Sequence, residues 1–246
     1  MDRMIYTAMT GANAVMNRQQ AITNNLANVS TNGFRAELST YRSVPLQGSG
    51  ASTRVFALEA TAGHMETPGT LASTGRSLDV AAIGNAYFAV QGNDGVEAYT
   101  RAGNLQVGPD GSLTSAAGRP MLDDGGAPIA VPENAEVNIA ADGTVSARSG
   151  TEPPQLLGRL KLVTPSNELR VRRGDDGLYR AQDRAPLPQD PEARLKDGML
   201  EGSNVNAVEA MVGMIAVARQ FEQQMRLLQT AEKNDQTAAQ LLGLNG

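Results

Sequence analysis

The strongest constraint on the fold is a regular spacing of apolar residues at the two ends of the chain. Over the first 29 residues, apolar or small side chains alternate three and four positions apart, which is the a/d pattern of a coiled-coil seam. Gln19 is the only polar member. The N-terminal seam consists of Ile5, Ala8, Ala12, Val15, Gln19, Ile22, Leu26 and Val29.

The C-terminal stretch repeats this pattern over a longer run without proline. Asn206, followed three residues later by Glu209, has the form of a helix capping box and predicts the start of a long helix that runs to Leu242. The C-terminal seam consists of Met211, Met214, Ala218, Phe221, Met225 and Leu228. A second apolar set lies to one side of this seam, so the first half of the helix needs neighbours on two faces; it consists of Val208, Val212 and Ile215.

The N-terminal helix is almost uncharged, and this leaves two interpretations open. Between Met4 and Phe34 the only charged residue is Arg18, and the face opposite the seam is rich in asparagine and glutamine. An amphipathic helix packed on its own domain explains the seam. A solvated face usually carries Lys and Glu, however, so an amide-rich face also fits a contact with another protein.

The end of this helix forms a segment that we call the helix-end corner. It comprises Asn24, Asn25, Asn28, Asn32, Gly33 and Phe34. If the helix reaches Asn32, Gly33 is the left-handed residue of a Schellman motif and Phe34 packs against Val29. If it ends near Asn28, Asn32 and Gly33 form a separate turn. Either way we expect a positive φ at Gly33 and uncharged amide hydrogen bonds at subunit contacts.

Between residues 75 and 195 the sequence changes to short β runs separated by turn signals. Asp110-Gly111, Asp142-Gly143 and Asp176-Gly177 each separate two such runs, which is typical of an all-β domain with sandwich or barrel topology left open. Along one run, Leu160 and Leu162 are predicted to point inward, and Arg159 and Lys161 outward.

The predicted fold class is therefore α+β. Two long terminal α-helices are expected to pack as a coiled-coil-like pair, with an extended arm and an inserted all-β domain. The predicted domains are an N-terminal axial helix at 1–35, the arm at 36–75, the all-β domain at 76–195 and a C-terminal axial helix at 196–246.

Composition argues against most kinds of chemistry. The net charge of −5, without a Lys/Arg cluster, argues against nucleic acid, and the absence of cysteine removes thiolate catalysis and cysteine-bound metal. His64 is the only histidine and has no partners for a triad or zinc site. We expect no catalytic, cofactor-binding or metal-binding residues, no small-molecule substrate, no membrane insertion and no cleaved signal peptide.

Both ends of the chain resemble bacterial flagellar axial proteins, the family of rod, hook and hook-associated proteins. The N-terminal motif is NNLANVSTNGFRAE, and the C-terminal motif is LEGSNVNAVEAM followed by a helix with Phe-Glu and Leu-Gln-Thr. Within the body, the stretches YRSVPLQG, RSLDVA, YTRAGNLQVGPDGSLT and RGDDGLYR are similar to proximal-rod members. Distal-rod members share the end motifs but begin differently and are somewhat longer, and they remain the alternative.

The resemblance implies a structural subunit, not an enzyme, in the rod that transmits torque and conducts exported subunits. The terminal helices, with both seams and the second apolar set, would form an inner tube by contact with neighbouring subunits. The partners implied are other rod proteins, copies of itself and the flagellar type III export apparatus. The location implied is the basal body, spanning the periplasm.

Two other functions are alternatives to this one. A monomeric binding module or secreted effector would use the same helices as an internal bundle, and would show both helices fully protected in a stable monomer. A β-domain hydrolase would need a pocket at His64 with a converging carboxylate and hydroxyl.

Overall fold

The computed structural model describes residues 2–45, 55–150, 152–166 and 169–243. The side chains at 2–7, 43, 55–62, 235, 238, 239 and 241–243 fall outside the description, so the predicted roles of Ile5 and of Leu242 lie outside it as well. Within the described residues, the chain forms two helices and sixteen strands.

The two helices lie at the ends of the chain, and the strands lie between them. The helices are α1 (Asp2–Ala27) and α2 (Ala207–Gly243). The strands are β1 (Glu37–Pro45), β2 (Val55–His64), β3 (Leu71–Ser73), β4 (Val80–Ala82), β5 (Tyr87–Gln91), β6 (Glu97–Thr100), β7 (Leu105–Val107), β8 (Leu113–Ser115), β9 (Glu136–Ile139), β10 (Thr144–Arg148), β11 (Gln155–Arg159), β12 (Leu162–Val163), β13 (Val171–Arg173), β14 (Tyr179–Ala181), β15 (Leu195–Asp197) and β16 (Met199–Glu201).

The predicted fold class, α+β with a coiled-coil-like helix pair, is wrong. Strands and small sheets dominate the described chain, which is mostly β with one helix at each end. The physical reason on the helical side is phasing. Met211 and Met225 of the predicted C-terminal seam are exposed, whereas the buried side of α2 includes Val217 and Ala231, which the seam left out. The heptad spacing therefore identified the helices but not their packing.

The chain divides into two compact units, which we call the helical unit and the β unit. The helical unit comprises Met1–Val29, Ala36–Met65 and Val205–Gly246, and the β unit comprises Ser30–Arg35 and Glu66–Asn204. The chain therefore passes between the units four times. The four predicted domains stay a prediction.

In the helical unit, α1 and α2 approach each other at glycines. A Cβ added at Gly213 would lie 3.5 Å from the Ile22 side chain, and one added at Gly11 would lie 3.3 Å from the Gln224 side chain. These two contacts pair early α1 with late α2, and late α1 with early α2, so the helices run antiparallel. Small residues at the contact permit close approach, which differs from the knobs-into-holes packing of a coiled coil.

Residues predicted as an extended arm form a long antiparallel hairpin in the helical unit. β1 pairs with β2 from Glu37 opposite His64 to Pro45 opposite Val55, with an irregularity after Thr40. A two-stranded hairpin is marginal on its own and needs a surface to pack on. The Tyr41 hydroxyl supplies one attachment, because it donates to the backbone carbonyl of Ala14 in α1 at 2.7 Å.

The β unit contains both clusters of buried apolar residues. Its sheets are a five-stranded β12-β5-β6-β14-β13 sheet, a three-stranded β11-β10-β9 sheet and three strand pairs, β15-β4, β16-β3 and β7-β8. The first and last strands of the unit pair with each other, since β3 pairs with β16 and β4 with β15. The β unit is therefore complete only when its last two strands, β15 and β16, have paired with β4 and β3 near its start.

The turn predictions in this unit are confirmed, and one strand prediction is wrong. Gly111, Gly143 and Gly177 all adopt positive φ between paired strands. Leu160 and Leu162 are buried as predicted, but Lys161 is buried too. Its ammonium group lies 2.8 Å from the Glu97 carboxylate, so a buried ion pair overrides the alternation of polar and apolar residues.

Candidate assembly site

An exposed apolar stripe occupies the first two turns of α2. Val208, Met211, Val212 and Ile215 follow the i, i+3, i+4, i+7 spacing that places residues on one helix face. Their exposed fractions are 70%, 52%, 62% and 55%. We call these four residues the α2 stripe. Met211, predicted to lie in the seam, belongs with the second apolar set instead.

The remaining seam residues are mostly buried or half-buried. In α1, Ala12 and Val15 are buried, and those half-buried are Ala8, Gln19, Ile22, Leu26 and, just beyond the helix, Val29. In α2, those half-buried are Met214, Ala218, Phe221 and Leu228, whereas Met225 is exposed. The predicted seams therefore contain residues that hold the helical unit together as well as residues that face outward.

A second exposed apolar feature lies on α1, where sequence analysis assigned none. Met9 and Met16 are each 48% exposed and lie two helical turns apart, on the same face. Beside Met16, a shallow groove is lined by Gln19, Gln20, Thr23, Asn24 and Ala27. The only sequence signal was the absence of charge, which is what an uncharged contact surface requires.

The asparagines of the helix-end corner form hydrogen bonds inside the helical unit. Asn25 makes a reciprocal pair with the backbone of Glu37: its Nδ2 donates to the carbonyl at 3.0 Å, and its Oδ1 accepts from the amide at 2.8 Å. The Asn24 amide donates to the Glu37 carboxylate at 3.1 Å. Asn28 donates back to the Asn24 carbonyl at 2.9 Å. These amides connect the end of α1 to the start of β1.

The turn that follows α1 is tight because Gly33 has no side chain. The helix ends at Ala27, so the Schellman alternative is wrong and Asn32 and Gly33 form a separate turn. Gly33 has φ of 70°, as expected. A Cβ there would lie 2.4 Å from the backbone carbon of Arg101, closer than any real contact permits. Next to it, buried Phe34 lies beneath the Arg173 guanidinium, 4.2 Å from ring centre to cation.

Behind this turn, three buried charged residues meet, and sequence analysis assigned none of them. Arg35 follows Phe34, Arg101 follows β6 and Glu201 ends β16. The Arg35 guanidinium lies 2.9 Å from one Glu201 carboxylate oxygen. Arg101 Nε donates to the other at 2.8 Å, and its Nη2 also contacts that oxygen. All three side chains are 1% exposed. We call them the ion cluster.

The backbone around the ion cluster satisfies most of its remaining polar atoms. Arg101 donates to the carbonyls of Gly84 at 2.8 Å and Ala82 at 3.0 Å, and also to that of Ala86. Glu201 accepts from the Gly69 amide at 2.9 Å. Buried charges need this density of partners, since an unpaired ion in the interior costs several kcal/mol.

Burial also shifts the pKa of Arg35 in the cluster and of the tyrosines beside it. Burial lowers the pKa of the Arg35 guanidinium, while the Glu201 carboxylate acts in the opposite direction. The Arg101 guanidinium lies 5.6 Å from the centre of the Tyr87 ring, which packs edge-on against Tyr179 at 5.1 Å. Burial raises the pKa of both phenols.

The described residues of both helices carry exposed apolar side chains. No group of three or more metal-ligating side chains comes together among the residues that the structure describes. In the same part of the chain, neither helix is long and apolar enough to cross a membrane. The described residues thus offer a pair of helices with exposed apolar residues and, within the β unit, a buried cluster of ion pairs.

Comparison with known proteins agrees with this arrangement. Family models match at residues 5–35 (flagella basal body rod protein), 81–147 (flagellar hook protein FlgE/F/G D1 domain) and 196–241 (flagellar basal body rod FlgEFG protein C-terminal). The flagellar basal-body rod proteins FlgF of Salmonella typhimurium and Escherichia coli are each 47% identical to this chain over 254 aligned residues, covering 100% of both chains. FlgG of Buchnera aphidicola is 31% identical and covers 96% of this chain and 98% of its own.

Each matched range contributes one residue to the ion cluster. Arg35 is the last residue of the first range, Arg101 lies in the second, and Glu201 lies in the third. The three stretches that carried the resemblance in sequence are therefore joined in space. With full-length relatives at this identity, the chain belongs to the family of flagellar basal-body rod proteins and is a structural subunit of the rod.

Proposed function

We propose that this subunit builds the proximal part of the rod by self-assembly and by co-assembly with other rod proteins, using its terminal helices. The α2 stripe is the observation that supports this most strongly. Four large apolar side chains, all more than half exposed, form one continuous helix face. Monomeric proteins rarely expose such patches without a partner.

Charge supports a protein partner for these helices over a solvated role. The only charged residue between Met4 and Phe34 is Arg18, and Met9 and Met16 lie exposed on α1. An interface core is typically depleted of charge and enriched in methionine. The predicted interface therefore includes both seams, the second apolar set and, from the structure, Met9 and Met16.

The finer features of the proposal are supported by the resemblance to flagellar axial proteins. The subunit is exported by the flagellar type III apparatus without a cleaved signal, and it lies in the part of the rod that crosses the periplasm. There it helps transmit torque and conduct later subunits. It acts by assembly alone, without catalysis, cofactor, nucleic acid or small-molecule substrate. A place in the distal rod is the alternative.

Val212→Glu tests the proposal, with Gln220→Glu as its matched control. Both changes add one glutamate to an exposed position of α2, but only Val212 lies in the α2 stripe. We expect the first variant to fold normally and to abolish swimming in a host whose own copy is deleted, because a charge would be buried at the interface. The second should swim. Equal swimming by both variants would contradict the proposal.

A further inference from the structure

We infer that Glu201 is a positioning residue for assembly. Its buried carboxylate is the charged centre of a hydrogen-bonded network that includes every point at which the chain enters or leaves the β unit. The inference rests on the proposed function, since it concerns how the subunit becomes competent to assemble. It adds a role for a residue that forms no part of the α2 stripe or the seams.

The chain passes between the two units at four points, and the network around Glu201 must include each of them. On the β-unit side they are at residues 30, 35, 66 and 204. Two of them contact the cluster directly. Arg35 is a member of it, and the Arg35 guanidinium also donates to the carbonyl of Glu66 at 3.0 Å and to that of Thr67.

The other two passages are tied to the same place by the backbone. The segment 30–35 is fixed where the Gly33 amide donates to the Glu201 carbonyl at 2.8 Å. At the last passage, the Asn204 amide donates to the Phe34 carbonyl at 3.3 Å, and its side chain donates to the Thr67 carbonyl at 2.8 Å. All four passages therefore belong to one hydrogen-bonded network around Glu201.

A carboxylate is the group that this place requires. Two guanidinium groups are buried side by side, and their other hydrogen-bond partners are neutral backbone carbonyls. Carbonyls can accept hydrogen bonds but cannot neutralise a charge. Among the described residues, the ion pairs of Arg35 and Arg101 both go to Glu201. Without its negative charge, two like charges would face each other in the interior.

Because Glu201 lies near the C-terminal end of the β unit, the hydrogen-bonded network around it can form only when the whole unit has folded. It ends β16, whose register places it opposite Leu71 of β3, the first strand of the unit after the hairpin. Both arginines precede it in the sequence. Their charges are therefore uncompensated until the last strand of the β unit has joined, and the points at which the chain leaves the β unit are fixed at the same step.

The test compares three variants of the full chain. Glu201→Gln removes the charge and keeps the shape. Glu97→Gln is the matched control, because it breaks a second buried ion pair of the β unit, with Lys161, that does not touch the passages. Arg35→Lys is the milder variant, since it keeps the positive charge but loses the forked guanidinium that reaches Glu201 and two carbonyls together. Amide hydrogen exchange and swimming of the deleted host are both measured.

We expect Glu201→Gln to speed exchange at the Gly33 and Gly69 amides by about 100-fold or more, with a smaller change in β5 and β6, and to abolish swimming. Glu97→Gln should leave those two amides protected and swimming intact. The inference is overturned if Gly33 and Gly69 stay protected in Glu201→Gln. It is also overturned if they lose protection while swimming equals that of wild type.

Two further outcomes remain decisive. If Glu201→Gln does not fold, the result for Arg35→Lys decides. Faster amide exchange at Gly33 together with weaker swimming would support the inference. Exchange and swimming equal to those of wild type would overturn it. If the wild-type chain itself does not restore swimming, it is the proposed function that fails. The exchange results in Glu201→Gln and Glu97→Gln then decide by themselves whether Glu201 holds the passages.

Discussion

The helical unit and the β unit use apolar residues in opposite ways. Both buried apolar clusters lie in the β unit, where side chains such as Phe88 and Leu105 are fully enclosed. In the helical unit, Val208 and Val212 are largely exposed, and few of the described side chains beyond Val15 and Val217 are buried. The β unit thus has a core of its own, whereas the helical unit leaves large apolar side chains exposed.

Polar chemistry divides in the same way. The β unit buries charges in pairs, as in the ion cluster and in the pair of Lys161 with Glu97. The helical unit uses uncharged amides, as in the reciprocal bonds of Asn25 with Glu37. A hydrogen-bonded amide costs much less to bury at a subunit contact than a charge does.

The largest effect should come from the core of the β unit. Phe88→Ala should lower the free energy of unfolding by about 3–5 kcal/mol, because it leaves a cavity among fully buried residues. Leu227→Ala, at a position of α2 that is 49% exposed, should change it by about 0.5 kcal/mol or less. Chemical denaturation measures the free energy of unfolding of both variants. Similar decreases in the two variants would contradict the described difference between the units.

An intermediate effect should come from the turn behind α1. Gly33→Ala should lower the free energy of unfolding by about 2–4 kcal/mol, because it adds a backbone clash to the strain of a positive φ. Gly95→Ala is the control, since Gly95 has a similar φ of 75° and open space around its Cβ position. It should cost about 1–2 kcal/mol. Equal losses in thermal denaturation would mean that Arg101 does not crowd this turn.

The smallest effect should come from an exposed turn of the β unit, and it should depend on pH. Hydrogen bonds from the backbone and side chain of Thr144 lower the pKa of the Asp142 carboxyl below its ordinary 3.8. The folded state therefore gains stability above that value and loses it as the pH falls through the folded pKa. Asp142→Ala should be less stable than wild type at pH 7, with the difference shrinking below pH 3.8.

Asp142→Asn serves as the control for this prediction. Its side-chain oxygen can still accept from the Thr144 amide, but it does not titrate. Denaturation curves at neutral and acid pH measure the free energy of unfolding of each chain. For both variants, the difference in this free energy from wild type should therefore become smaller at acid pH. The difference between the two variants should not change with pH. A gap between Asp142→Ala and wild type that stays constant would refute the assigned cause.

Local patterns in the sequence predicted the elements better than their packing. The cap of α2 is confirmed, because Asn206 Oδ1 accepts from the amides of Val208 at 3.0 Å and Glu209 at 3.3 Å. The end of α1 and the turn glycines followed the same local rules. Burial was harder to predict, since it depends on partners. Lys161 was placed outward because nothing nearby in sequence announces Glu97.

The ion cluster was missed for a related reason. Arg101 and Glu201 lie 100 residues apart, and a single arginine or glutamate in a β run normally predicts a solvated side chain. The available signal was that all three residues sit inside the stretches that carried the family resemblance. The coiled-coil interpretation failed because a heptad count does not reveal which of several apolar faces is turned inward on α2.

The most direct test of the account is the reactivity of a single cysteine in the α2 stripe. The chain contains no cysteine, so Val212→Cys introduces a unique thiol at a position that is 62% exposed in the single chain. The account predicts rapid maleimide labelling of the isolated protein and strong protection in purified basal bodies, with reactivity restored on denaturation. Equal labelling of the isolated protein and the basal bodies would contradict assembly through the α2 stripe.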